Sequence, residues 1–141
     1  MAGKKEQDRA RMIALYENLG NFYDRSVKYM NGIYLDLLRA QLLMKEAGQE
    51  GKKGEQISKV LSDVALLVKE GESSRQINAI EVKELKEGKS LKGFNYKEAE
   101  EANRSYVHAT MVTADRASKV LNDTSKLRIG LVSSMSKARA K

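Results

Sequence analysis

The segment Ile33–Met44, with the sequence IYLDLLRAQLLM, is apolar nearly all the way round when it is wound as a helix. A helix that is apolar on every side must be surrounded by other helices. Toward the N-terminus the apolar residues continue at steps of three and four, within one arc at about 100° per residue. They are Met12, Tyr16, Leu19, Tyr23, Val27 and Met30. The pattern predicts one long helix over residues 8–47, ended by Gly48 because glycine tolerates the left-handed conformation found after helix ends.

A second long helix is predicted over residues 95–140. Asn95 is a favourable N-cap, and Glu98, three residues later, matches the capping box that begins many helices. The apolar and small residues that follow recur within one arc of roughly 80° at 3.6 residues per turn. They include Ala99, Ala102, Tyr106, Ala109, Thr113, Ala117, Val120, Leu127, Leu131, Met135 and Ala138. At about 1.5 Å per residue, the two long helices would each reach about 60–70 Å.

The part of the chain between these helices is more polar and richer in glycine. Residues 48–54 contain three glycines and predict a flexible turn, and residues 1–7 are expected to be flexible as well. A shorter amphipathic helix is predicted from Glu55 to Glu70, with Gly71 ending it.

The stretch after Gly71 allows two interpretations. Ser73 and Gln76 fit a capping box, which favours a short helix to about Glu87. Residues 80–82 also alternate apolar and charged side chains as a strand does. A loop over residues 88–94 then leads to the last helix. The sequence as a whole predicts an all-α fold. It would form a single helical domain over residues 1–141, an elongated hairpin or bundle of two long helices with one or two short helices between them.

The composition agrees with long helices and excludes several kinds of chemistry. The chain has no proline, which is the residue that most strongly disrupts a helix interior. It also has no cysteine, so disulfides, thiol nucleophiles and thiolate metal sites are excluded. The single histidine, His108, has no second histidine with which to share a metal ion. Acidic pairs such as Glu81 and Glu84 lie among lysines rather than in an apolar setting. We therefore expect no catalytic residues, no metal site and no cofactor.

The sequence lacks the features of a membrane segment or a cleaved leader. The basic N-terminus is followed by charged residues, among them Glu17 and Asp24, instead of an uncharged apolar run. The most apolar stretch contains Asp36 and Arg39 and is shorter than the roughly 20 residues that cross a bilayer. These features predict a cytoplasmic protein, or one exported without a cleaved signal peptide.

The last helix carries a second apolar stripe, about 100° round from the first. One antiparallel neighbour can cover one stripe but not both, and the predicted fold offers only one other long helix. The first helix likewise exposes leucines in its all-round apolar stretch. We therefore predict a non-enzymatic assembly or adaptor protein, either a homo-oligomer or a protein bound to a helical partner. The predicted partner-binding residues are Val107, Met111, Leu121, Ile129, Val132, Leu35, Leu42 and Leu43, and Ala114 lies on the same stripe.

A basic arc on the last helix supports an alternative function in nucleic-acid binding. The chain has 26 Lys and Arg against 19 Asp and Glu, a net charge of +7. A row of cations can follow a phosphate backbone. A solvated helix face is the plainer interpretation, because Asp115 and Asp123 lie on the same arc within reach of lysines. The residues of the arc are Arg104, Arg116, Lys119, Lys126, Lys137 and Lys141.

The order of elements suggests a further alternative. An apolar N-terminal helix is followed by a polar middle and a C-terminal helix that runs to the end of the chain. This outline is similar to that of secreted filament and needle-tip subunits of bacterial export machines. The resemblance implies a subunit of a filament or of its tip, and it rests on overall outline rather than on any motif.

Overall fold

The described part of the chain forms three long helices. The computed structural model describes residues 3–48 and 51–140, and the side-chain surroundings within these ranges as far as residue 123. The helices are α1 (Lys4–Glu46), α2 (Lys52–Lys86) and α3 (Tyr96–Ala140), with one 3-10 turn at Leu91–Gly93. The described residues contain no strand, so the all-α prediction is confirmed.

The first and last helices match the predicted bounds closely. α1 begins at Lys4 and α2 at Lys52, so both helices include a few residues that were predicted to be flexible. Gly48 follows α1 with φ +65°, the left-handed conformation predicted for it. At the start of α3 the backbone N–H of Glu98 donates to Asn95 Oδ1 at 3.2 Å, as expected for an N-cap.

The middle of the chain differs from the prediction, because α2 is a single helix that continues through Gly71. Gly71 is buried where all three helices approach one another. A Cβ at this position would lie 2.6 Å from Val27 Cγ2 and would also collide with the Tyr106 side chain. The glycine therefore permits close helix packing, whereas the sequence pattern suggested a helix end. Over residues 3–48 and 51–140 there are consequently three long helices, where two long helices and one or two short ones were predicted.

The helices alternate in direction, so that α2 runs antiparallel to α1 and α3 runs parallel to α1. Near the start of α1, Arg9 Nη1 donates to the carbonyls of Leu85 at 3.0 Å and Lys89 at 2.8 Å, at the other end of α2. The Leu85 carbonyl belongs to the last turn of α2, where a cation is favourable, and Lys89 follows that helix. α3 runs parallel to α1, since the rings of Tyr16 and Tyr96 meet at 5.9 Å near the beginning of both helices.

The core lies along the axis of the bundle in two clusters, which share the half-buried neighbours Val120 and Leu121. On α1 and α2 most of its residues recur at intervals of seven, the spacing at which one helix face stays turned toward its neighbours. A larger cluster joins Met30 and Leu37 to Val64 and Ala117, and a smaller one surrounds Met44. The seven-residue series are Tyr16, Tyr23, Met30, Leu37 and Met44 on α1, and Ile57, Val64, Gly71, Asn78 and Leu85 on α2.

Candidate protein-interaction surfaces

Three of the predicted partner-binding residues lie on the surface. Leu35 and Leu42 on α1 are 52% and 59% exposed, and Met111 on α3 is 63% exposed. Leu35 and Leu42 are seven residues apart and lie on the same side of α1, away from the core series. Their exposure leaves apolar area in water that a partner helix could cover.

Other members of the second stripe are covered within the chain. Ala114 is buried, and Leu121 is half-buried against both core clusters. Val107 and Leu43 are also half-buried. The prediction had assumed only one long neighbour for α3, whereas the structure supplies two, and these cover part of the stripe. The side chains of Ile129 and Val132 lie outside the described residues.

As far as residue 123, six further large apolar side chains are exposed that were not predicted to bind a partner. Each lies off the buried series of its own helix, and this displacement is the signal that could have identified it. On α2 this displacement could not be recognised, because the second half of that helix was predicted to be a separate short helix. The six are Phe22, Tyr29, Leu66, Ile77, Ile80 and Val112.

One of these residues, Leu66, lines a shallow groove between α2 and α3. Tyr23 and Tyr106 form its floor, with ring centroids 5.5 Å apart, and Leu66 lines its wall. The hydroxyl of Tyr106 donates to the carbonyl of Leu67 at 2.8 Å, which holds the ring in place. Other lining residues are small or polar: Ser73, Ser74, Ala102, Ser105, Ala109, Lys69 and Glu70.

The described part of the basic arc is engaged within the chain. Arg104 pairs with Glu100 at 2.7 Å, and Arg116 reaches across to Asp63 of α2 at 3.0 Å. Lys119 is exposed. The side chains of Lys126, Lys137 and Lys141 lie outside the described residues. Both arginines of the arc are therefore paired with carboxylates within the described residues.

The interior contains polar side chains that are satisfied by backbone groups. Asn78 donates to the carbonyl of Tyr16 at 2.9 Å, and Asn103 donates to the carbonyl of Leu19 at 3.5 Å. A Cβ on Gly20 would lie 2.5 Å from Asn78 Oδ1, so this glycine provides room for the amide. Among the described residues no buried side-chain nitrogen or oxygen lacks a partner. These groups therefore account for packing and leave no buried polar atom directed toward a ligand.

Burial, followed by the charges of Glu81 and Glu98, raises the pKa of Tyr16, so titratable groups of all three helices lie near one another here. Burial, and then the charge of Glu84, raise the pKa of Glu81. Glu84 is paired with Lys89 at 3.1 Å, and His108 is exposed on α3. Over residues 3–48 and 51–140, no group of three or more potential metal-binding side chains occurs. Within the same ranges, none of the helices is sufficiently long and apolar to cross a membrane.

Comparisons with protein-family models, with curated proteins and with solved structures give no match to this chain. Arguments about function therefore depend on the surfaces described above.

Proposed function

We propose that this protein is a non-enzymatic helical assembly protein, which associates with copies of itself or with a helical partner as a subunit of a larger or filamentous assembly. The observation that carries the proposal is the number of large apolar side chains on the surface of a small bundle. Leu35, Leu42 and Met111 are more than half exposed although other positions on the same helices are fully buried.

The distribution of these side chains supports the proposal. Single exposed apolar residues are ordinary, but groups of them on a small protein mark interaction surfaces. On α1 the exposed leucines lie seven residues apart, which is the spacing that a second helix would contact at successive turns. The core series lies on another side of the helix and is already covered. The exposed leucines would therefore form a separate contact from the one that stabilises the bundle.

The test compares surface and core substitutions in the full chain. A Leu35→Ser/Leu42→Ser/Met111→Ser variant should remain as helical as the parent by circular dichroism, because these side chains are exposed. Its mass in light scattering over a concentration series should fall toward that of the monomer. A Lys28→Ser/Arg39→Ser variant is the matched control, since it changes exposed residues of α1 without removing apolar area. If the parent is monomeric at every concentration, binds no hydrophobic dye and captures no helical partner, the proposal fails.

Nucleic-acid binding is the second candidate, favoured by the concentration of positive charge near the C-terminus. Lys126, Lys137 and Lys141 of the predicted arc all follow residue 123. A phosphate-tracking helix should bind duplex DNA or RNA with an affinity that declines steeply as salt rises. Fluorescence anisotropy at low salt checks this candidate, and a flat titration would eliminate it.

A further inference from the structure

The net positive charge is concentrated in one short segment. Residues 124–141, called the tail below, contain five basic residues and no acidic residue, so they carry +5 of the net +7. The tail also contains Leu127, Ile129, Leu131, Val132 and Met135, which make it apolar as well as basic. The five basic residues are Lys126, Arg128, Lys137, Arg139 and Lys141.

Residues 124–140 of the tail extend α3 past the residues that pack beside the end of α1 and the start of α2. α3 is helical to Ala140, so residues 124–140 span about 25 Å. Val120 and Leu121 already pack beside Met44 and Ile57, which lie in the last turns of α1 and the first turns of α2. α1 ends two residues after Met44. α3, in contrast, continues for 19 residues after Leu121.

The α2–α3 groove has an apolar rim that fits an additional helix. Leu66 and Ser73 line the groove, and the next residue at the same seven-residue interval is Ile80. By the same interval Ile77 follows Glu70 on α2, and Val112 follows Ser105 on α3. Leu66, Ile77, Ile80 and Val112 are all about half exposed or more. From Leu66 to Ile80 the rim measures about 20 Å, which is close to the length of the tail.

The charge of the groove is opposite to that of the tail. The positions that repeat at seven-residue intervals along the groove hold Glu70, Glu84 and Glu87 on α2 and Glu98 on α3. Lys69 also lines the groove, and Lys83 follows it after two seven-residue intervals, so over residues 66–87 and 98–112 these positions hold fewer cations than carboxylates. Glu84 is in addition paired with Lys89. An apolar rim flanked by carboxylates is complementary to an apolar helix that carries cations.

From these observations we infer that the tail of one copy docks in the α2–α3 groove of a second copy. This inference rests on the proposed function and names the two surfaces involved. A tail cannot occupy its own groove, because the groove includes the part of α3 that precedes the tail on the same continuous helix. The donor and acceptor surfaces differ, so each bound copy still offers a free tail or groove. Such a contact is heterologous and joins copies head to tail into an open chain.

Charge reversal on each surface tests the inference with the full chain. Glu70→Lys/Ile80→Lys makes the groove basic, and Lys137→Glu/Arg139→Glu/Lys141→Glu makes the tail acidic. Each variant alone should associate about tenfold or more weakly in sedimentation velocity, because like charges then face each other. An equimolar mixture should recover association, since the acidic tail now matches the basic groove. Glu72→Lys/Ala79→Lys is the matched control, with exposed positions on the same helix but outside the groove.

The outcomes separate this contact from the broader proposal. Circular dichroism should show parental helix content in every variant, and an unfolded variant is replaced by Glu70→Gln or Lys137→Gln in the same assay. Undiminished association of both reversed variants, or a mixture that stays dissociated, overturns the groove contact while self-association as such survives. A monomeric parent that still captures a helical partner also overturns the contact between copies, but leaves the proposed binding to a helical partner standing. Tail reversal that abolishes binding to anionic vesicles or duplex DNA, with self-association unchanged, assigns the tail to a different ligand and also overturns the inference.

Discussion

Gly71 illustrates how a single residue determines the spacing of the three helices. Glycine inside a helix is unfavourable by about 1 kcal/mol relative to alanine, so an exposed glycine can usually be replaced with a gain in stability. Gly71 is buried between Val27 and Tyr106, where no side chain fits. The unfavourable helix propensity is therefore offset by the close approach of helices that it allows.

We expect Gly71→Ala to lower the free energy of unfolding by about 1–3 kcal/mol, because the added methyl group overpacks the site. Gly32→Ala on α1 is the control, since no atom lies within 4 Å of a Cβ there. That substitution should raise the free energy of unfolding by about 0.5–1 kcal/mol. Urea denaturation of both variants measures the difference. If Gly71→Ala proves as stable as the parent, the description of this contact is wrong.

The titration of Tyr106 makes the stability of the core depend on pH. Burial, and secondarily the charge of Glu70, raise the pKa of the Tyr106 phenol from 10 to about 12. The folded protein thus holds this proton more tightly than the unfolded chain does. The resulting stability is fully present below pH 10 and is lost as the pH rises toward about 12.

Tyr106→Phe should therefore make the loss of stability at alkaline pH less steep. The variant should also lose about 1 kcal/mol near neutral pH, because the hydrogen bond to Leu67 is removed. Thermal unfolding at pH 8 to 11, with Tyr29→Phe at an exposed position as control, checks both expectations. Parallel pH profiles for the parent and the Tyr106 variant would contradict the assignment.

At the scale of elements, the continuity of α2 is the main feature that distinguishes this bundle from a hairpin. The second half of α2 contains the groove residue Ser73 and the buried Asn78, which contacts α1. If the helix ended at Gly71, these residues could not keep the seven-residue register that places them. The groove between α2 and α3 therefore depends on one unbroken helix.

Gln76→Pro tests this continuity at an exposed position. Proline inside a helix removes a backbone hydrogen bond and clashes with the preceding turn, so the free energy of unfolding should fall by about 3 kcal/mol or more. Gln76→Ala should change it by less than about 0.5 kcal/mol. Thermal unfolding by circular dichroism compares the two. A Gln76→Pro variant with parental stability would show that a break is tolerated after Gly71.

At the scale of the whole molecule, the bundle decides which apolar side chains hold it together and which face water. Leu37 is fully buried and Leu35, two residues earlier on the same helix, is 52% exposed. Both belong to the stretch that is apolar all round in the sequence. The two leucines differ in exposure only because of where α2 and α3 lie.

Leu37→Ala should lower the free energy of unfolding by about 2–5 kcal/mol, as expected when a core leucine leaves a cavity. Leu35→Ala should lower it by less than about 0.5 kcal/mol and should weaken association instead. Urea denaturation and sedimentation velocity on the same two samples measure both effects. Equal loss of stability in the two variants would place Leu35 in the core.

The features that the sequence determined by itself are local ones. The repeat of apolar residues, the glycine after α1 and the capping asparagine before α3 act within a few residues of each other. Helix class and the bounds of α1 and α3 were therefore predictable from these patterns. Leu35, Leu42 and Met111 were proposed as partner-binding residues from the same patterns, but their exposure depends on where the other helices lie.

Tertiary structure decided the features that depend on distant residues. Gly71 has the same local signature whether it ends a helix or lies between two others, and only Val27 and Tyr106 distinguish these roles. Leu121 belongs to a second stripe in the sequence but is half-buried, because both α1 and α2 reach it. The α2–α3 groove combines residues more than 30 positions apart. Such contacts cannot be recognised from the periodicity of apolar residues in either helix, because each helix is amphipathic whether or not the other packs against it.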